Sequence, residues 1–248
     1  MSNRIALTVD QQVARVCLNR PDKRNALDME MFKAIAESQK SLKQEGGLRA
    51  VVLSGAGIDF CSGLDIRSAM HDRRGMIRLL WKWLPWQANL AQRAGLGWRA
   101  LPVPVIAAIQ GRCWGGGLQI ALGADFRIAT PDASLSIMES RWGLIPDMGG
   151  TLALRELVGR DQAMKLAMTA EEISGARALE LGLVTALDDD PLAAAHAFAR
   201  QLADRPVAAV EGVKRLYRKS WAGAPGAALA RETGYQIRIL ARRAGGAA

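Results

Sequence analysis

The chain has 248 residues, 50% of them hydrophobic and 23% charged, a balance that excludes disordered, collagenous and fibrous classes. Lys and Arg number 33 against 24 Asp and Glu, a net charge of +9; this fits an anionic partner without separating nucleic acid, a membrane surface and a phosphorylated small molecule. The three cysteines, Cys17, Cys61 and Cys113, are far apart and form no CxxC, which disfavours a disulfide framework or a zinc ribbon and points to a reducing compartment.

Met1 to Arg4 lead into alternating residues rather than an apolar leader, and no apolar run reaches the roughly 20 residues of a bilayer span. The expectation is a soluble, cytoplasmic protein with no membrane partner. Ile5, Leu7 and Val9 alternate with polar neighbours, Asp10-Gln11-Gln12 can turn, and Val13 to Leu18 continues as a second strand, so the chain opens as a hairpin. Met31, Ile35 and Leu42 recur at helical spacing until Gly46-Gly47. Ala50 to Leu53 reads as a buried strand followed by a loop. Ile66 to Arg99, rich in Arg and Trp, reads as one or two helices broken at Pro85 and near Gly95–Gly97. Val103 to Ile109 is a buried strand, Leu118 to Leu122 a helix, and Phe126 to Ala129 and Leu135 to Ile137 are strands. From about Ala153 the pattern turns helical, with a last strand over Leu183 to Leu187 and helices over Pro191–Leu202, Val207–Tyr217 and Ala227–Arg242 before a frayed tail. Strands alternating with helices predict an α/β architecture.

No P-loop, HExxH, GxSxG or complete dinucleotide fingerprint is present. His71 and His196 have no second His or Cys at ligand spacing and read as solvated helix residues, so neither a metal site nor a Ser-His-Asp triad is expected. Any chemistry falls to carboxylates and backbone donors. Three segments can carry it. Gly115-Gly116-Gly117 sits between a strand and a helix, where missing Cβ atoms admit a ligand and first-turn N–H groups are free to stabilise an oxyanion; tight packing would explain the glycines equally well. The loop Phe60 to Ile66 can offer a second N–H. In Glu139 to Thr151 two carboxylates, Glu139 and Asp147, flank an apolar turn. A carboxyl desolvated among Trp142, Leu144 and Ile145 suits acid–base work, whereas an ion pair with Arg141 or an Asp147 cap on the helix near Thr151 would make the pair structural.

In this order the three segments resemble the crotonase superfamily, the enoyl-CoA hydratase/isomerase family. So do Arg20-Pro21 through Arg24-Asn25-Ala26-Leu27, the run Pro104 to Ile109, Ala124-Asp125, Ala178 to Val184, and Lys214 on a late helix. The resemblance covers nearly the whole chain. It implies a crotonase-like ββα spiral core over residues 1–190 carrying an acyl-CoA site, and a helical oligomerisation region over 191–248 that builds a homotrimer or dimer of trimers. It implies an acyl-CoA substrate, with coenzyme A entering as part of that substrate and no permanently bound cofactor. The N–H groups of Leu64 and Gly116 match the family's oxyanion hole. The backbone around Arg24 and Ala26 and the loop Leu64-Asp65-Ile66-Arg67 match its CoA surface, and the side chains of Arg24 and Lys214 would meet CoA phosphates.

Hydratases of the family use two glutamates. One falls at Gln119, which cannot exchange a proton; the other is Glu139. Asp147 stands where typical hydratases have glycine, and the Glu139/Asp147 pair resembles the dienoyl-CoA isomerase branch, although that branch also has an acid at the position of Gln119. The dehalogenase branch needs a His base that is not found. Double-bond isomerisation is therefore expected over hydration, with Glu139, Asp147, Leu64 and Gly116 as the catalytic set. The alternatives are a hydratase relying on Glu139, and an RNA-binding or non-catalytic CoA-binding protein. The RNA reading would use Arg73, Arg74, Arg78 and Lys82 with Trp81 and Trp83; nucleic acid is the weaker expectation. The segment from Ile66 to Leu101 is expected to shape the acyl pocket.

Overall fold

The computed structural model describes residues 3–245, with the side chains of Met70, His71, Arg73, Met76 and residues 242–245 outside the described set. The expectations for the His71 and Arg73 side chains and for the 246–248 tail therefore fall outside it.

The opening hairpin pairs β1 (Ile5–Asp10) antiparallel with β2 (Val13–Leu18). Its two-residue turn places Gln11 and Gln12 at φ 45° and 67°, the left-handed geometry that matches strand twist and that Asn-Gly usually supplies. The chain then crosses through α1 (Met29–Gln44), whose first turn is capped by Asp28 accepting from the Met31 N–H, to β3 (Ala50–Gly55). Three helices follow: α2 (Ile66–His71), α3 (Arg73–Leu80) and α4 (Leu90–Arg99). Next come β4 (Val105–Ile109), β5 (Arg112–Trp114), α5 (Gly116–Leu122), β6 (Phe126–Ala129) and β7 (Ser134–Ser136). A 3-10 turn at Glu139–Trp142 leads to α6 (Gly150–Leu157), α7 (Arg160–Thr169), β8 (Ile173–Ser174), α8 (Gly175–Glu180) and β9 (Ala186–Leu187). The chain closes with α9 (Pro191–Ala203), α10 (Val207–Ser220) and α11 (Pro225–Gly245).

Two sheets result. The larger runs β1-β2-β3-β4-β6-β9, parallel from β2 onward; the smaller runs β5-β7-β8. In β3 and β4 every residue is buried because both sheet faces are covered, as unbroken apolar parallel strands require. Alternation divides them between two cores. Val51, Leu53, Val105, Ala107 and Ile109 join the main core with α1, α4 and α5, while Ala50, Val52, Ile106 and Ala108 pack against Ala195 and Ala199 of α9. Helix α9 is thus a layer of the core. Among the described residues, α10 buries none of its own; it is pinned by Lys214, whose ammonium lies 2.6 Å from Asp125 and 2.7 Å from the Val103 carbonyl. Asp125 also accepts from the Val105 N–H at 2.8 Å, so one carboxylate fixes both the start of β4 and this helix.

Two expectations need correction, and one element is new. Gly95 and Gly97 do not break a helix: both lie inside α4, where missing side chains let it approach the Gln119 and Met148 backbone and the Gln39 side chain. The break falls at the residues around Pro85. Strand β5 and the small sheet were not foreseen, and the last strand is only Ala186–Leu187.

A Cβ at Gly95 would lie 2.6 Å from the Met148 carbonyl oxygen and 3.1 Å from that of Gln119. Gly95→Ala is expected to lose about 1–2 kcal/mol of stability, because overpacking outweighs the roughly 1 kcal/mol that alanine gains over glycine in a helix. Urea unfolding measures this; a variant as stable as the parent would show that the α4–α5 contact has slack.

Candidate active site

The loop after β3 and the strand–helix junction at β5–α5 are knitted together by backbone. Cys61 and Cys113 form an isolated parallel bridge, with the Cys61 N–H donating to Arg112 at 3.0 Å and the Trp114 N–H to Cys61 at 2.9 Å. A Cβ at Gly117 would lie 2.5 Å from the Cys61 carbonyl oxygen, and one at Gly63 would lie 2.9 Å from that of Trp114 and 3.6 Å from the Gly116 nitrogen. Gly63 (φ +92°) and Gly115 (φ +50°) also take backbone conformations that a side chain would strain. Among the described residues, the N–H groups of Leu64 and Gly116 have no protein acceptor.

Arg20 to Leu27 closes the near side. Its residues Arg24 and Asn25 are left-handed, and the buried Asn25 side chain holds the turn by accepting from Arg20 and donating to the carbonyls of Ala56 and Asp59. The Leu27 N–H donates to Gly63, the Asp65 N–H to Leu27 and the Ser62 N–H to Arg24, so Arg24, Ala26 and the Leu64–Arg67 loop lie side by side. Arg20 reaches Asp65 at 2.8 Å. Burial pushes the Asp65 carboxyl up, but bonds from Ser68 and Arg20 outweigh it and hold the group below its usual value. The Arg24 side chain is half exposed. Lys214 lies elsewhere: its side chain is 8% exposed and its ammonium is spent on Asp125, Val103 and Trp98, so it is not brought to these loops.

Glu139 opens the 3-10 turn behind the glycine run, its Oε1 3.7 Å from where a Gly115 Cβ would stand. It does not pair with Arg141, which lies 3.5 Å from Glu172. Nor does Asp147 cap α6, whose N-cap is Gly149. What ties Glu139 to the loop carrying Asp147 is Gln119, a buried residue of α5. Its Oε1 accepts from the N–H groups of Met148 (2.9 Å) and Gly150 (3.1 Å), while its Nε2 donates to Glu139 Oε1. Glu139 Oε2 is buried and has no hydrogen-bond partner among the described residues. Burial raises the Glu139 carboxyl above its ordinary value, with the nearby charge of Asp147 adding to it against the bonds from its backbone and Gln119; Asp147 is an exposed residue whose carboxyl is raised by partial desolvation. The direction and the cause, desolvation, match the sequence reading, but the residues that supply it differ. Trp142, Leu144 and Ile145 are exposed, so the glycine run and Gln119 supply the burial of Glu139.

The structure therefore gathers Arg24, Ala26, Leu64, Asp65, Ile66, Arg67 and Gly116 around two free N–H groups, with Glu139 behind them and tied through Gln119 to the backbone that follows Asp147. Sequence reasoning missed the Gln119 clamp; the only signal was an amide where an acid was expected. Two buried thiols lie beneath the same loops. Burial pushes Cys61 up to about 12 and Cys113 well above its ordinary value, with Cys61 adding to the second. The aromatic segment carrying Trp81, Trp83 and Trp86 is exposed. No helix among the described residues is long and apolar enough to cross a membrane.

The family model described as Enoyl-CoA hydratase/isomerase matches residues 8–239. A 1,2-epoxyphenylacetyl-CoA isomerase of Escherichia coli (strain K12) is 36% identical over 201 residues, covering 80% of this chain and 75% of that protein. A peroxisomal Delta(3,5)-Delta(2,4)-dienoyl-CoA isomerase of Arabidopsis thaliana is 35% identical over 190 residues, 73% of this chain and 67% of that one. A crystal structure of an enoyl-CoA hydratase from Polaromonas sp. JS666 superposes with a TM-score of 0.86 at 30% identity, covering 98% of this chain and 93% of that one.

The raised carboxyls carry a signed expectation for stability. A carboxyl whose folded value exceeds its unfolded one favours folding while protonated, below about pH 4, and that contribution is lost as pH rises through the folded value. Asp147→Asn should therefore melt with the parent near pH 4 and above it at pH 8. A variant that melts lower at pH 8 would mean that the ionised Asp147 is stabilised by its surroundings.

Proposed function

The chain belongs to the enoyl-CoA hydratase/isomerase family, and from that premise we propose that it moves a double bond within an acyl-CoA thioester. The backbone around Arg24 and Ala26 and the Leu64–Arg67 loop hold the CoA moiety, and the half-exposed Arg24 guanidinium, whose Nε lies 3.9 Å from Asp59, turns its remaining donors to a phosphate. The thioester oxygen accepts from the N–H groups of Leu64 and Gly116. One carboxylate of the Glu139/Asp147 pair removes a proton from carbon activated by the thioester. The electron pair passes into the conjugated system and its charge falls on the thioester oxygen, where preorganised donors lower the barrier. A proton returned at another carbon restores the thioester with the double bond displaced. No atom is gained, so no positioned water is needed.

The observation that favours isomerisation over hydration is the commitment of Gln119. Its oxygen is taken by two backbone N–H groups and its nitrogen faces Glu139, so no second acid stands beside Glu139 on α5, while Asp147 supplies one from the following loop. A panel of 2-enoyl-, 3-enoyl- and dienoyl-CoA esters, followed by mass and absorbance, tests this. The parent should convert esters without change of mass, and Glu139→Gln and Asp147→Asn should each cost about 10²-fold or more, the usual size of an acid–base contribution. Rapid hydration of crotonyl-CoA with a neutral Asp147→Asn would move the reading to a hydratase using Glu139. RNA retention that exceeds that of other basic proteins and survives salt, without turnover, would move it to a binding protein.

The assembly we propose is a trimer or a dimer of trimers. Exposed Val213, Tyr217, Trp221, Leu229, Ile237 and Leu240 give the α10–α11 hairpin an apolar surface that a neighbouring subunit would cover. Light scattering at micromolar concentration should return three or six times 26.7 kDa; a monomer would defeat the assignment.

A further inference from the structure

We propose that Gln119 is a positioning residue that decides which oxygen of Glu139 carries its proton: it claims Oε1 and leaves Oε2 as the atom through which Glu139 gains and loses a proton. The inference rests on the reading of Glu139 as a proton carrier and adds an atom-level assignment to it.

The orientation of the Gln119 amide is forced. Met148 and Gly150 present N–H donors to one end of it, at 2.9 and 3.1 Å, and two donors can be met only by the amide oxygen. A flipped amide would set its NH₂ against both and leave three buried donors without an acceptor. The nitrogen must therefore face Glu139, and a primary amide nitrogen offers only hydrogens. A proton on Glu139 Oε1 would point at another hydrogen, so this oxygen accepts whether the carboxyl is charged or neutral. The proton falls to Oε2, which is buried and free of any hydrogen-bond partner among the described residues. The same three bonds tie the 3-10 turn of Glu139 to the backbone that follows Asp147, at Met148 and Gly150.

The surrounding charges leave this geometry in control. Asp147 is the charged neighbour on the following loop. On the turn itself Arg141 lies against Glu172. On α7, packed against the turn, Lys165 lies 3.0 Å from Glu171, and Arg160 and Asp161 stand at the far end of that helix. Helix α5 carries no titratable residue beside Gln119.

The amide is also distinguishable from its carboxylate isostere. In Gln119→Glu one oxygen can still accept from Met148 and Gly150, so the loop stays held, but the other faces Glu139 Oε1 where a donor stood. Two oxygens at hydrogen-bond distance need a proton between them, so the pair must take one up.

The test is carboxyl NMR of ¹³C-glutamate-labelled protein, with Glu139 assigned by its loss in Glu139→Gln. In Gln119→Glu the Glu139 midpoint should rise by about one pH unit or more with the melting temperature held, and the basic limb of any isomerisation rate should move with it. An unchanged midpoint overturns the proposal. The parent supplies a second measurement that needs no variant to fold except for assignment: the Gln119 side-chain NH₂ signal, assigned by its loss in Gln119→Met, should shift with pH at the Glu139 midpoint. An NH₂ signal that ignores Glu139 overturns the proposal as well. Coupled titration without conversion of any ester would uphold the assignment and refute the isomerase reading instead.

Discussion

Two backbone N–H groups from different parts of a chain can aim at one oxygen only if their loops approach more closely than side chains allow. That approach is the constraint on which the rest of this structure depends. Gly63 and Gly117 remove the Cβ atoms that would strike the Trp114 and Cys61 carbonyls, and the Cys61–Cys113 bridge fixes the register between the loops. The sheet serves this contact. Strands β3 and β4 lie parallel and adjacent, so the loops leaving them emerge at the same end, and the small β5-β7-β8 sheet holds the second loop down.

Behind this contact the polar groups are arranged so that few are spare. Asn25 and Arg20 use their donors to fold the loops around Arg24 and Leu64, and Gln119 uses its amide to hold the acid-bearing ones. In a low-dielectric interior a satisfied polar network is rigid, and an unsatisfied carboxylate oxygen stands out. Here that oxygen belongs to Glu139, beside the glycine run.

Much of this was legible in the sequence because local periodicity and local burial agree. The hairpin, α1, β3 and β4 are each stretches whose own pattern dictates their form, and the glycine run and the acid pair declare themselves by composition. What could not be read depends on contacts between distant segments. Gly95 and Gly97 look like helix breakers until the chain they pack against is known. The three residues of β5 carry no strand signal of their own; their partners Ser134–Ser136 make them a strand. Trp142, Leu144 and Ile145 look like a desolvating wall, yet they face outward while α5 and Gly115 bury the carboxyl. Lys214 appears as a free cation in sequence, and only the fold reveals Asp125 beneath it.

The two thiols under these loops bear on chemical selectivity toward the thioester substrate proposed above. A thioester is open to attack by any nearby thiolate, which would transfer the acyl group to the protein and release CoA. Burial raises the Cys61 thiol to about 12 and the Cys113 thiol well above its ordinary value, so both stay protonated at neutral pH. Neither sulfur is exposed. The apolar packing that lets the two loops meet would therefore also insulate the proposed thioester from self-acylation of the protein.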